Sequence, residues 1–443
     1  MTGRNLILVI FDSARADAFG SDTPTFEELG SRGMRFERAI APAGWTLPSH
    51  TSMFTGLMPT EHKIVGSPGG AERVLANSRT RVSALQDKLL APRLAAAGIR
   101  TFLSSASPWL TKASGLDRGF QDTDHFNFLQ LPPHPSRVRL PKRARQTLNT
   151  LYSIGDHARW ARSGRDKGAA RVLEGMERFI ADDPAPFFAC TTLMDTHEPH
   201  LPPEKSDRSF LATANIVLQP GLMRLVRMHA HTWGTRVLSP RVISQWRAAY
   251  EREIAYVDSW LARLMEMLDR SGRADETVVV VTADHGETFG EGGTVGHGVS
   301  LREGLARVPL VIAGAGVDAN RIEGPVSLAR IAPTVTDLLL APTEGSLIEG
   351  SDGIASMEIE HPAHVAHPTP RAKRTARGPG AAFYDGSLKV VVDPWDLPDA
   401  PPRLYDLVAD PEETNDLSST REATERQGKL LESWRERAAY LPT

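Results

Sequence analysis

Three short runs of apolar and β-branched residues constrain this chain most: Leu6 to Phe11, Phe187 to Met194 and Thr277 to Val281. None has a helical period, so each reads as a buried strand. Between them, Asp166 to Asp182 places Val172, Leu173, Met176, Phe179 and Ile180 on one face. Trp246 to Arg270 does the same with Tyr250, Ile254, Val257, Leu261, Leu264 and Leu268. Buried strands alternating with amphipathic helices predict an α/β fold, a mostly parallel sheet covered on both sides.

Pro and His crowd between Ser351 and Pro379, which predicts an irregular excursion and a boundary: a catalytic unit over 1–350 and a smaller C-terminal α+β unit over 351–443. In the latter, Ala381 to Val392 reads as a strand or hairpin around Asp385-Gly386, and Ser418 to Tyr440 as a terminal amphipathic helix. The stretch from His125 to Arg165 is basic and aperiodic.

With 51 basic and 54 acidic residues in 443, the net charge of -3 offers no general attraction to nucleic acid or anionic lipid. A single cysteine, Cys190, excludes an internal disulfide and a cysteine-cluster metal site. The first apolar run spans six residues, too short for a membrane span or an ordinary signal sequence, so the expectation is a cytoplasmic protein without a membrane partner.

In a parallel sheet, ligands bind beyond the carboxyl ends of the strands. The first run ends in Asp12, the second in Asp195-Thr196-His197, and the third leads to Asp284-His285-Gly286. Carboxylates and imidazoles gathered at one edge suit a divalent metal. Taken singly, an Asp after a strand is an ordinary turn or cap residue. Gly286 and the glycines at 290, 292, 293, 296 and 298 suggest a backbone held close to something small, with His297 able to reach the same ligand. Thr46 is an N-cap candidate with Pro48 in the first turn; a hydroxyl there is either a plain cap or a group facing an anion bound by the helix N-terminus.

Taken together, these motifs resemble the sulfatase-like branch of the alkaline phosphatase superfamily. The resemblance runs from Asp12 with Arg15 and Asp17, through Thr46-Leu47-Pro48-Ser49-His50 with Gly56 and Pro59, Gly115 to Phe120, and Asp195 to Pro199, to Asp284 to Glu287. Arg307 to Leu310, Ile331 to Thr334 and Leu404 to Leu407 with Asp410 to Glu413 extend it to the C-terminal part. It implies an alkaline-phosphatase-like central sheet flanked by helices, with a short antiparallel sheet beyond. It also implies Asp12, Asp284, His285 and the Thr46 oxygen around one metal, Thr46 as nucleophile, His197 near the leaving-group oxygen and His297 at a substrate oxyanion. Ser107 is a pocket or loop-capping residue.

Two positions depart from true sulfatases. Those carry Cys or Ser, oxidised to formylglycine, where this chain has Thr46, in a pattern ending in Arg where this chain has His50; many also carry a second Asp where Ser13 stands. Thr cannot become formylglycine, and relatives with Thr are phosphoesterases or phosphotransferases. The expectation is therefore a phosphate mono- or diester or phosphonate ester hydrolase, or a phosphotransferase, working through a phosphothreonine on a small-molecule ester. Sulfate ester hydrolysis and an anion-binding relative without turnover are the alternatives. Two carboxylates, an imidazole and an alkoxide favour Mn²⁺ or Zn²⁺ over Ca²⁺ or Mg²⁺. A second metal would need a His four residues after Asp195, where Pro199 stands. Cys190, His62 and the Arg15–Asp17 pair read as structural.

Overall fold

The computed structural model describes residues 3–65, 71–126, 166–198, 200, 202–203, 237–298, 300–361, 378–392, 401–419 and 428. Its strands are β1 (Asn5–Phe11), β2 (Met34–Ile40), β3 (Arg100–Ser105), β4 (Asp122–His125), β5 (Phe187–Leu193), β6 (Thr277–Ala283), β7 (Thr288–Phe289) and β8 (Val295–Gly296). They continue with β9 (Arg307–Val308), β10 (Leu310–Gly314), β11 (Asn320–Ser327), β12 (Ile354–His361), β13 (Gly378–Asp385), β14 (Leu388–Val392) and β15 (Arg403–Asp406).

The main sheet runs β11-β2-β10-β6-β1-β5-β3-β4, with β9 beside β2. The three runs that stand out in the sequence lie side by side at its centre, as β6-β1-β5, all parallel. They are continuously apolar because both faces are covered. On β5, Phe187 meets Phe179 of the helix Ala169–Asp182, whereas Phe188 stacks on Phe120, which in turn meets Phe54 of the helix Thr46–Thr55. Consecutive strand residues point to opposite faces, so these two helices lie on opposite sides of the sheet. The 31-residue helix Pro240–Arg270 packs with the first of them, its Trp260 Nε1 donating to the Ala169 carbonyl. Antiparallel β10, between β6 and β2, makes the sheet mixed.

The four-stranded antiparallel sheet β12-β13-β14-β15 follows, and the Asp385-Gly386 turn joins β13 to β14 as the sequence predicts. The expected irregular excursion from Ser351 is corrected in its first part: Ile354 to His361 is a strand. Ala355, Met357 and Ile359 alternate inward, and buried Glu358 accepts from the Thr60 N–H and hydroxyl. The Pro and His bias that suggested a loop begins only where this strand ends. The terminal helix expected over 418–440 and most of the basic stretch from His125 lie outside the described residues. Among the described residues, no helix is long and apolar enough to cross a membrane.

Candidate active site

Register builds the site. Phe11 is paired with both Leu193 and Ala283, so Asp12 and Asp284 emerge side by side at the carboxyl edge. Ser13 turns the chain away in a left-handed conformation, φ 68°, at a cost of about 1 kcal/mol for a non-glycine residue. In return its N–H donates to Asp284 Oδ1 at 3.1 Å and its hydroxyl to Asp12 Oδ1 at 3.0 Å. The Tyr250 hydroxyl secures the turn, donating to the Ser13 carbonyl at 3.0 Å and accepting from the Arg15 N–H at 2.7 Å.

Asp12, Asp284 and His285 are fully buried, and one ligand atom from each falls within 4.8 Å of the others. His285 Nδ1 donates to the Gly286 carbonyl at 2.8 Å, which leaves Nε2 with a lone pair facing Asp12 Oδ1 and Asp284 Oδ2, each at 3.6 Å. Among the described residues, neither His285 Nε2 nor Asp284 Oδ2 has a hydrogen-bond partner. Orphaned buried acceptors converging on one point are costly unless a cation completes them, so the residues present fit a divalent metal.

Thr46 is the first residue of its helix; the N-cap is Trp45, which corrects the expectation that Thr46 caps. Its hydroxyl donates to Asp12 Oδ2 at 3.2 Å, at the mouth of this cage. Ser49, one turn on, donates to the Asp284 carbonyl at 2.6 Å and locks the helix onto β6.

The short ribbon β7–β8 pairs Thr288 with Gly296, which sets Glu287 opposite His297; Glu287 Oε2 and His297 Nδ1 are 3.1 Å apart. The His297 ring lies 4.8 Å from those of both His285 and His197. His197 Nδ1 donates to the Glu198 carbonyl at 2.8 Å, leaving Nε2 for other work. The structure thus brings together all six residues singled out for chemistry.

Charges follow from this packing. Burial works against the Asp12 carboxylate, but the imidazoles of His197, His285, His297 and His50 outweigh it and hold the group below its ordinary value. Burial and the Asp12 charge push Asp284 well up. Burial, aided by His297, pushes His285 down to about 3, the neutral form a metal requires. His297 goes the other way: burial opposes its charge, yet Glu287 outweighs burial and raises it to about 10.

Several other readings are refined. At Gly286 the close approach is to backbone, a Cβ there lying 2.1 Å from the Gly304 carbonyl, and glycines 290, 292, 293, 296 and 298 have positive φ. Ser107 caps its loop, its hydroxyl accepting from the Trp109 N–H at 3.4 Å. Cys190 is a buried strand residue, and His62 is buried against Ser52. Arg15 holds Asp17 and also Glu291 and the Glu287 carbonyl.

Sequence reasoning missed His50 and Tyr250 as residues packed against the site. His50 lies one turn below Thr46, fully buried, donating from Nδ1 to the Thr46 carbonyl at 2.9 Å and accepting at Nε2 from Thr192 at 3.1 Å. Burial lowers it to about 4. The i, i+4 spacing from Thr46 was the available signal.

A buried cage of two carboxylates and an imidazole, with a hydroxyl at the start of a helix beside it, is an arrangement that could hold a divalent metal next to an ester. The chain matches the Sulfatase family over residues 4–341 and belongs to that family, within the alkaline phosphatase superfamily. It is 30% identical over 196 residues to the choline-sulfatase of Rhizobium meliloti strain 1021, a match that spans 44% of this chain and 37% of that protein. It is 24% identical over 388 residues to the multifunctional alkaline phosphatase superfamily protein PehA of Trinickia caryophylli, covering 76% of this chain and 74% of PehA. Among solved structures, the phosphonate monoester hydrolase of Agrobacterium radiobacter superposes with a TM-score of 0.67 at 20% identity, covering 99% of this chain and 96% of that one. That likeness establishes the shared fold.

Proposed function

We propose that the protein cleaves phosphorus esters, with phosphodiesters and phosphonate monoesters as its best substrates, using Thr46 as a covalent nucleophile. The observation behind this reading is Thr46 itself, a residue that cannot be oxidised to an aldehyde, with its hydroxyl on Asp12 at the cage mouth. A formylglycine hydrate can expel sulfate from its covalent intermediate; a threonine sulfate has no such route, whereas water can attack a phosphothreonine at phosphorus.

A divalent cation held by Asp12, Asp284 and His285, with manganese or zinc best suited to that donor set, would supply Lewis-acid charge at the reacting oxygens. The residues do the rest. Thr46 Oγ1 passes its proton to Asp12 Oδ2, the acceptor of its hydrogen bond, attacks phosphorus and displaces the alcohol in line, and it takes the proton back when its bond to phosphorus opens. Charge on the phosphoryl oxygens meets the His297 imidazolium, kept protonated by Glu287, and the N–H groups that open the helix. His197 Nε2 delivers a proton to the leaving oxygen, then takes one from the water that opens the P–O bond to Thr46. An alcohol in place of that water would make the protein a phosphotransferase, which added glycerol would reveal in the products.

The test is a panel of nitrophenyl esters with the manganese-loaded protein: a phosphonate monoester, a phosphodiester, a phosphate monoester and a sulfate. The expected order puts the first two ahead. The likeness to a choline-sulfatase favours sulfate as the second reading, and turnover of sulfate alone would replace the proposal with it.

His197→Ala should slow esters of alkyl alcohols by about 10² to 10⁴-fold and nitrophenyl esters far less, because only a poor leaving group needs the proton. Equal losses on both would remove His197 from the acid role.

A further inference from the structure

Lys167 lies outside every motif, just ahead of the helix Ala169–Asp182, and its side chain is 1% exposed. An ammonium has three N–H bonds, and here they find the Asp195 carbonyl at 3.1 Å, Glu253 Oε1 at 3.2 Å and the His197 carbonyl. The Lys167 backbone N–H adds a bond to Asp195 Oδ1 at 2.9 Å. Glu253, fully buried in the long helix, also binds His200 Nδ1 at 2.8 Å. One cation and its carboxylate therefore hold the chain at Asp195, at His197 and at His200. A buried ion pair is weak as a source of stability, and an apolar pair would fill the same space; what it adds is direction. The direction here bears on His197: Lys167 fixes the carbonyl of His197, and the imidazole Nδ1 is spent on the carbonyl of Glu198. With its own carbonyl held by Lys167 and its Nδ1 bonded to the Glu198 carbonyl, the ring keeps Nε2 as the nitrogen left for the pocket.

We infer that Lys167, anchored by Glu253, is a positioning residue that aims His197 Nε2 at the leaving-group oxygen. The inference rests on the proposed role of His197 as proton donor. Lys167 acts through His197 and does not itself touch substrate.

The experiment compares wild type, Lys167→Met, His197→Ala and the double variant on two esters of the same phosphorus acid, one with a nitrophenyl and one with an alkyl leaving group. Lys167→Met should lower kcat for the alkyl ester by about 10- to 100-fold, the scale of a misplaced catalytic group, with KM nearly unchanged. The nitrophenyl ester should lose about threefold or less. Added to His197→Ala, the Lys167 change should cost almost nothing more. Equal losses on both esters from Lys167→Met, or additive losses in the double variant, overturn the inference, since a merely structural lysine would behave that way. If Lys167→Met does not fold, Glu253→Gln keeps the volume, weakens the anchor and should give the same split; no split overturns the inference. Should His197→Ala itself show no dependence on leaving group, the acid role falls, and non-additivity in the double variant still decides whether Lys167 works through His197.

Discussion

Thr46→Ala should lose at least about 10⁴-fold in kcat on the best phosphorus ester, the scale seen when a covalent nucleophile is removed from an otherwise intact site. The fold should tolerate the change. Thr46 makes no capping bond, and alanine would forgo the 3.2 Å donation to Asp12, a carboxylate that also accepts from the Ser13 hydroxyl. Thr46→Ser keeps the oxygen in the same place and should stay within about tenfold of wild type. Acid-quenched wild type should carry a phosphoryl or phosphonyl adduct on Thr46 by mass spectrometry, absent from Thr46→Ala. If Thr46→Ala turns over at the wild-type rate, water attacks directly and the covalent mechanism is wrong.

His50 bears on the same point. Where formylglycine sulfatases carry an arginine, this chain buries a neutral imidazole between the Thr46 carbonyl and the Thr192 hydroxyl. An arginine could still donate to the Thr46 carbonyl but could accept nothing from the Thr192 hydroxyl, and it would bring a permanent charge into that space. Two positions of this helix thus depart together from the aldehyde-forming pattern, the proposed nucleophile and the side chain bonded to its carbonyl.

The parts of this arrangement that were legible in the sequence are those written in local pattern. Three apolar runs with acids at their ends become β6-β1-β5, and the edge rule then gathers Asp12, Asp284 and His285. Less was readable where the signal is mixed. β2 alternates buried Met34 and Phe36 with charged Arg35 and Glu37, and β11 carries Arg321, Glu323 and Pro325, so neither looks like a member of a buried sheet. Long-range polar partners are also silent in one sequence. Lys167 reads as a surface lysine at a helix start until the fold brings it to Glu253, 86 residues away. Glu287 appears as part of a motif, and only the pairing of β7 with β8 turns it into the group that keeps His297 charged.

Asp284→Asn should separate stability from function. In the metal-free protein, Asp284 Oδ2 faces the Asp12 carboxylate and lies 3.6 Å from His285 Nε2, and among the described residues neither atom has a hydrogen-bond partner. Asparagine keeps Oδ1 for the Ser13 and His285 N–H groups, removes the like charge and turns an N–H toward His285 Nε2. The metal-free variant should therefore melt a few degrees higher than metal-free wild type, since curing a buried like-charge contact and an orphaned acceptor is worth roughly 1–2 kcal/mol. Activity should fall by at least about 10³-fold, because the donor set has lost a charge. Added Mn²⁺ or Zn²⁺ should raise the melting temperature of wild type and not of the variant. The pH dependence has a definite sign. Asp284 is raised above its ordinary 3.8 by burial and by Asp12, so folding takes up a proton there. Its contribution is fully present below 3.8 and is lost as pH rises through the raised value, so metal-free wild type should weaken across that range while the variant does not. A metal-free variant less stable than wild type, or one still stabilised by the metal, would show that these two carboxylates are not the cage that the orphaned acceptors indicate.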